Sequence, residues 1–136
     1  MKNHKLNLLF FTILFLAIFV FRCEKSEINC DNDYCTIKKF NEFNIKKSEK
    51  RIARNQIVGV AHIYRKHSMR NFRLLDIYTI VFFLNNSKIY KISPDFVIDP
   101  RYPEYSKKQF KELEDYTKIL QKQFETNAER INLIIE

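Results

Sequence analysis

Between Leu6 and Phe21 the chain is apolar at every position except Asn7 and Thr12. A run of this kind, preceded by Lys2 and Lys5, is an unusual element for the core of a small domain, because it is greasy on all sides of a helix rather than along one stripe. As a helix its 16 residues reach roughly 24 Å, short of the roughly 30 Å hydrocarbon core of a bilayer. Basic start, compact apolar centre and early end are the pattern of an export signal more than of a spanning helix. The first 22 residues are therefore set apart from the fold as a signal peptide or N-terminal membrane anchor.

The end of the segment separates two versions of that reading. Val20-Phe21-Arg22 offers no small-residue cleavage site, so plain secretion is poorly matched. The segment resembles a bacterial lipoprotein signal in which Cys23 is the lipidated first residue. Val20 fits that pattern three positions before the cysteine, whereas Phe21 and Arg22 depart from it. The alternative is an uncleaved anchor, a short transmembrane helix that thins the bilayer locally. Both place the body in the cell envelope, outside the cytoplasm.

Cysteine usage agrees with that compartment. Cysteines occur at 23, 30 and 35 and nowhere later. With Cys23 set aside, Cys30 and Cys35 form a close pair that an oxidising environment would bridge. One C-x4-C pair lacks the four ligands of structural zinc, and His62 and His67 complete no recognisable set. No metal or cofactor is expected. The chain has a single glycine, Gly59, so a glycine-rich phosphate loop or dinucleotide fingerprint cannot be built.

Charge is uneven. Eleven basic residues lie between Lys38 and Arg73 against Glu42 and Glu49, within a chain of net charge +8. This block suits an anionic partner such as lipid head groups, a cell-wall polymer or an acidic protein. It carries no nucleic-acid motif, and nucleic acid is not expected outside the cytoplasm. A solvated basic face is the plainer explanation. Arg65, Lys66, Arg70 and Arg73, with the loop tyrosines Tyr102 and Tyr105, are the candidate binding residues.

The pattern predicts an α+β fold: a small antiparallel meander of three to four strands packed by a C-terminal amphipathic helix. Residues 23–55 read as a tether and basic linker, with a short helix from Ser48 to Asn55, and 56–136 as the folded domain. Strands are expected at Ile57–Tyr64, Phe72–Leu84 and Lys88–Ser93, with a short edge strand at Phe96–Ile98 between prolines. Ile80 to Leu84 is apolar at every position, which calls for cover on both faces. Phe110, Leu113, Tyr116, Thr117, Leu120 and Phe124 mark the stripe of a helix opened by a Ser106/Gln109 capping box. The last residues read as more helix, with a strand at Ile131–Ile135 as the alternative.

One arrangement could be catalytic. If Tyr64 pairs with Leu74 in the first hairpin, His62 falls opposite Asp76, the base-and-orienter half of a hydrolase triad. No nucleophile accompanies it, and a one-residue slip in register would separate the pair. A non-catalytic binding or structural module at the membrane is the favoured role, with an envelope hydrolase using His62 and Asp76 as the alternative.

Overall fold

Residues 24–55 hold a two-residue period that their charges conceal. Ile28 and Cys30, then Cys35 and Ile37, point one way, while Glu27, Asn29, Thr36 and Lys38 point the other. Alternation of this kind makes half-buried strands, and a computed structural model shows them. It describes residues 2–21, 24–70 and 73–136, with side chains for 4–13, 24–65 and 75–136. The elements are α1 (Lys2–Phe21), β1 (Lys25–Cys30), β2 (Tyr34–Phe40), β3 (Lys46–Ala53), one 3₁₀ turn (Arg54–Gln56), β4 (Ile57–Arg70), β5 (Arg73–Leu84), β6 (Ile89–Lys91), β7 (Phe96–Ile98), α2 (Pro103–Glu125) and β8 (Ile131–Ile135).

The fold is α+β, with antiparallel strands and a C-terminal helix. Its strands form two sheets rather than one meander. The first has the order β3-β2-β1-β8, and the second places β4 on one side of β5, with β6 and β7 in tandem on the other. The segment read as tether and linker over 23–55 holds the three strands β1, β2 and β3, joined by turns. The helix expected from Ser48 is replaced by β3 and the 3₁₀ turn. Lys46 to Arg51 are exposed, and an edge strand rich in lysine resists pairing with other chains.

The chain's end closes the first sheet. Asn127 adopts a positive φ of 52°, which ends α2 and lets the chain return as β8 beside β1, with Ile28 opposite Leu133 and Ser26 opposite Ile135. Asparagine tolerates this conformation at a helix end, and burying Ile131 and Ile135 completely adds to it.

The inner faces of both sheets share one core with α2. It contains Ile28, Ile37, Ile80, Phe82, Ile92, Leu113, Leu120, Ile131 and Ile135, with Phe110, Tyr116 and Phe124 packed against it. The α2 stripe meets the second sheet through ring contacts, Phe124 on Phe82 at 5.6 Å and Phe110 on Tyr78 at 5.7 Å. On the opposite face of β5, Leu75, Ile77, Thr79 and Val81 are buried too. The central strand is therefore covered on both faces, as its apolar run requires. A buried Ser93 hydroxyl accepts from the Ile80 amide at 2.9 Å and donates to the Pro94 carbonyl at 2.8 Å, satisfying groups where Pro94 interrupts β6 and β7.

The helix α2 opens at Pro103, with Tyr102 as its N-cap, so the Ser106/Gln109 capping box is not formed. Proline suits the first helical turn because the missing amide would have no partner there. Ser106 Oγ instead donates to the Asp99 carbonyl at 2.7 Å and accepts from the Asp99 amide at 3.0 Å, pinning the preceding loop.

The apolar N-terminal segment is helical, and Leu6, Leu8, Leu9, Phe10, Phe11 and Ile13 are exposed. No helix among the described residues is long and apolar enough to cross a membrane.

Candidate functional site

His62 and Asp76 both lie on the long hairpin of β4 and β5, and its register decides what they do. Tyr64 pairs with Tyr78, not Leu74. His62 consequently faces Ile80, and Asp76 faces His67. The two share a face but stand four residues apart along β5, roughly 13 Å at strand spacing. The triad half expected from the sequence is not assembled. The cause is a four-residue difference in register, with bulges at Ile57/Gly59 and Tyr64/Lys66 that extend β4 to Arg70.

Each residue has other company. The His62 ring packs edge-on against Phe110 at 6.0 Å and Tyr78 at 6.5 Å. Its Nδ1 is buried without a hydrogen-bond partner. It lines a recess of about 200 Å³ with Ala61, Glu114, Thr117, Lys118 and Gln121. The Asp76 carboxylate lies near the Tyr64 hydroxyl. Lost hydration and then the adjacent carboxylate raise the Tyr64 hydroxyl above the ordinary phenol value, since both disfavour a second negative charge. This is a row of aromatic rings with a carboxylate near one hydroxyl.

Among the described residues the basic block does not form a single face. Arg54 is structural: its Nη1 donates to the carbonyls of Asp31 at 2.9 Å and Glu129 at 3.4 Å, and its guanidinium lies over Phe124 at 5.4 Å. Arg65 donates to both Asp95 oxygens at 3.1 Å, and Lys91 reaches the same carboxylate at 2.6 Å. Arg51 stacks on Tyr34 at 3.9 Å. Lys66, Arg70 and Arg73 belong to the hairpin arms by backbone, and their side chains lie outside the described residues. Among the block's described side chains the exposed lysines are Lys46, Lys47 and Lys50 on β3, while α2 carries exposed lysines of its own at Lys107, Lys108, Lys111, Lys118 and Lys122.

Tyr102 and Tyr105 are exposed at the start of α2. Tyr105 borders a recess of about 170 Å³ with Glu24, Asp95, Gln109 and Glu136. The loop before them is held by Asp99, whose Oδ1 accepts from the Arg101 amide at 3.0 Å.

Cys30 and Cys35 form a disulfide across the first hairpin, both buried. Cys23 lies outside the described residues. Among the described residues no group of three histidine, cysteine or acidic side chains could hold a metal ion.

The feature that sequence reasoning missed is the turn joining β2 to β3. Asn41 is 2 % exposed, and its Oδ1 accepts from the amides of Phe43 and Ile45, both at 2.9 Å. Asn44 takes a positive φ of 61°. The two asparagines were the available signal, since this residue bonds to nearby backbone and tolerates that conformation. Their effect is to hold Phe43 and Ile45 outward, each 56 % exposed. No protein-family model, curated protein or solved structure matches the chain.

Proposed function

We propose that this chain is a bacterial envelope protein, lipoprotein-like or anchored by its uncut N-terminal segment, whose body acts outside the cytoplasm as a non-catalytic binding or structural module. One observation carries the reading: the six large apolar side chains of α1 from Leu6 to Ile13 stand exposed behind a basic start. Such a surface is unfavourable in water and is relieved in hydrocarbon. The buried Cys30–Cys35 bridge suits an oxidising compartment. The partner classes that fit are anionic lipid, an acidic wall polymer or an acidic protein.

Mass measurement of the mature protein from membranes tests this. Acyl chains on Cys23 establish the lipoprotein form, and an intact Met1 establishes the anchor. Recovery of the whole chain in the soluble cytosolic fraction with all cysteines reduced overturns the proposal.

A further inference from the structure

We infer that the β2–β3 turn is a second membrane contact, a pre-formed apolar tip that inserts Phe43 and Ile45 into the head-group region of an anionic bilayer. The inference rests on the proposed N-terminal attachment and names the surface that the attachment brings to the membrane.

The tip is rigid. Besides the Asn41 side-chain bonds, the Asn41 amide donates to the Ile45 carbonyl and the Asn44 amide to the Asn41 carbonyl, both at 3.0 Å. Its two apolar side chains thus protrude by construction, and little ordering remains to be done when they are buried. Lysines flank them. Lys25 donates to Asn44 Oδ1 at 2.6 Å, and Lys46, Lys47 and Lys50 are exposed on β3. Glu42 within the tip, Glu24 beside Phe40, and Glu49, bridged to Lys38 and Lys46, are the opposing charges. Apolar side chains flanked by Lys25, Lys46 and Lys47 match an anionic interface, where the lysines meet phosphates and the apolar pair meets acyl chains.

Position supplies the second argument. The Glu24 amide donates to the Phe40 carbonyl at 3.0 Å, and Lys25 pairs with Phe40. The body is therefore entered beside the residue that precedes the tip. Three residue steps separate Phe21 from Glu24, a reach of at most roughly 11 Å. A bilayer that holds the apolar segment lies within that distance of the tip's end of the sheet. The disulfide end of the same sheet is roughly 20 Å away along β2.

The chain contains no tryptophan, so Phe43→Trp places a unique reporter at the tip and Asn32→Trp a control at the far turn. Each full-length variant is reconstituted with vesicles of equal parts phosphatidylglycerol and phosphatidylcholine, with and without brominated acyl chains. The expected result is a blue-shifted Phe43→Trp emission, quenched several-fold more strongly than that of Asn32→Trp. Adding Lys46→Glu and Lys47→Glu should weaken insertion, since each basic side chain near such a surface contributes roughly fivefold. Solvent-like, unquenched emission from Phe43→Trp in protein that floats with the vesicles overturns the tip and leaves the attachment standing. Failure to float overturns both. Equal quenching in vesicles of phosphatidylcholine alone overturns the choice of an anionic surface.

Discussion

Gln121, toward the C-terminal end of α2, donates a 2.8 Å hydrogen bond from Nε2 to the carbonyl of Val60 on β4. The strand lies at the edge of its sheet, where a backbone carbonyl needs a partner from outside the ladder. The helix supplies it, fixing its position along the strand as the Phe124–Phe82 contact fixes its packing. Gln121→Ala should destabilise the fold by about 1 kcal/mol. In urea the midpoint should fall with the slope unchanged. An unaltered midpoint would show that water replaces the amide without cost.

The Cys30–Cys35 bridge closes a loop with a sequence separation of 5. So short a loop restricts the unfolded chain by about 2 kcal/mol in the chain-entropy account. Replacing both cysteines by alanine should cost at least that, because both side chains are also buried. Thermal melts of the variant, and of the native chain with and without reductant, measure it. Equal melting temperatures in all three would remove the bridge from the account of stability.

These two contacts differ in how far the sequence foretold them. The α2 stripe was legible because Phe110, Leu113, Thr117, Leu120 and Phe124 recur at helical spacing, and the apolar run of β5 was legible because no position in it is polar. The strands β1 to β3 were not. Every second residue there is charged or polar, and the buried set is as small as Ile28, Cys30, Cys35, Ile37 and Ile52. Register was also hidden. The bulges in β4 are tertiary adjustments, and a shift along the hairpin moves His62 from Asp76 to Ile80 while leaving local propensities untouched. The tip at Phe43 and Ile45 was present as two asparagines, but its meaning depends on strands on either side of it.

The strand β8 is the firmest test of how the first sheet closes. Ile135 is fully buried, whereas its neighbour Ile134 is 50 % exposed. Ile135→Ala should cost about 3 kcal/mol through lost burial and the cavity left behind. Ile134→Ala should cost less than about 0.5 kcal/mol. Chemical denaturation of the two variants gives the comparison, and similar losses would be incompatible with a strand presenting alternate residues to the core.

The approach of Asp76 to Tyr64 has its own readout. Because the Asp76 carboxylate contributes to the raised Tyr64 hydroxyl, Asp76→Asn removes a nearby negative charge and should lower the Tyr64 ionisation point toward the ordinary value. The raised value means that this group's contribution is present at neutral pH and is lost as pH rises through tyrosine ionisation. Ultraviolet titration of tyrosinate in the native chain and in Asp76→Asn measures the shift. If the variant titrates identically, the carboxylate is not near enough to the hydroxyl to act on it.

The acid limb of stability should depend on Asp31. Its Oδ1 accepts from the Tyr34 amide at 2.7 Å and the Asp33 amide at 2.8 Å. These bonds, Tyr34's first, hold its carboxyl below the usual aspartate value, and the charges of Arg51 and Arg130 act in the same direction. A depressed folded value means that the contribution is complete above the unfolded pKa of about 3.9 and disappears as pH falls through the folded value. Asp31→Asn keeps a side-chain oxygen for the two amides but has no proton to take up. Its urea midpoint should therefore fall less than that of the native chain as pH is lowered from about 5 to about 2.5. Parallel loss in both proteins would assign the acid sensitivity to other carboxylates and leave the Asp31 turn without a role in it.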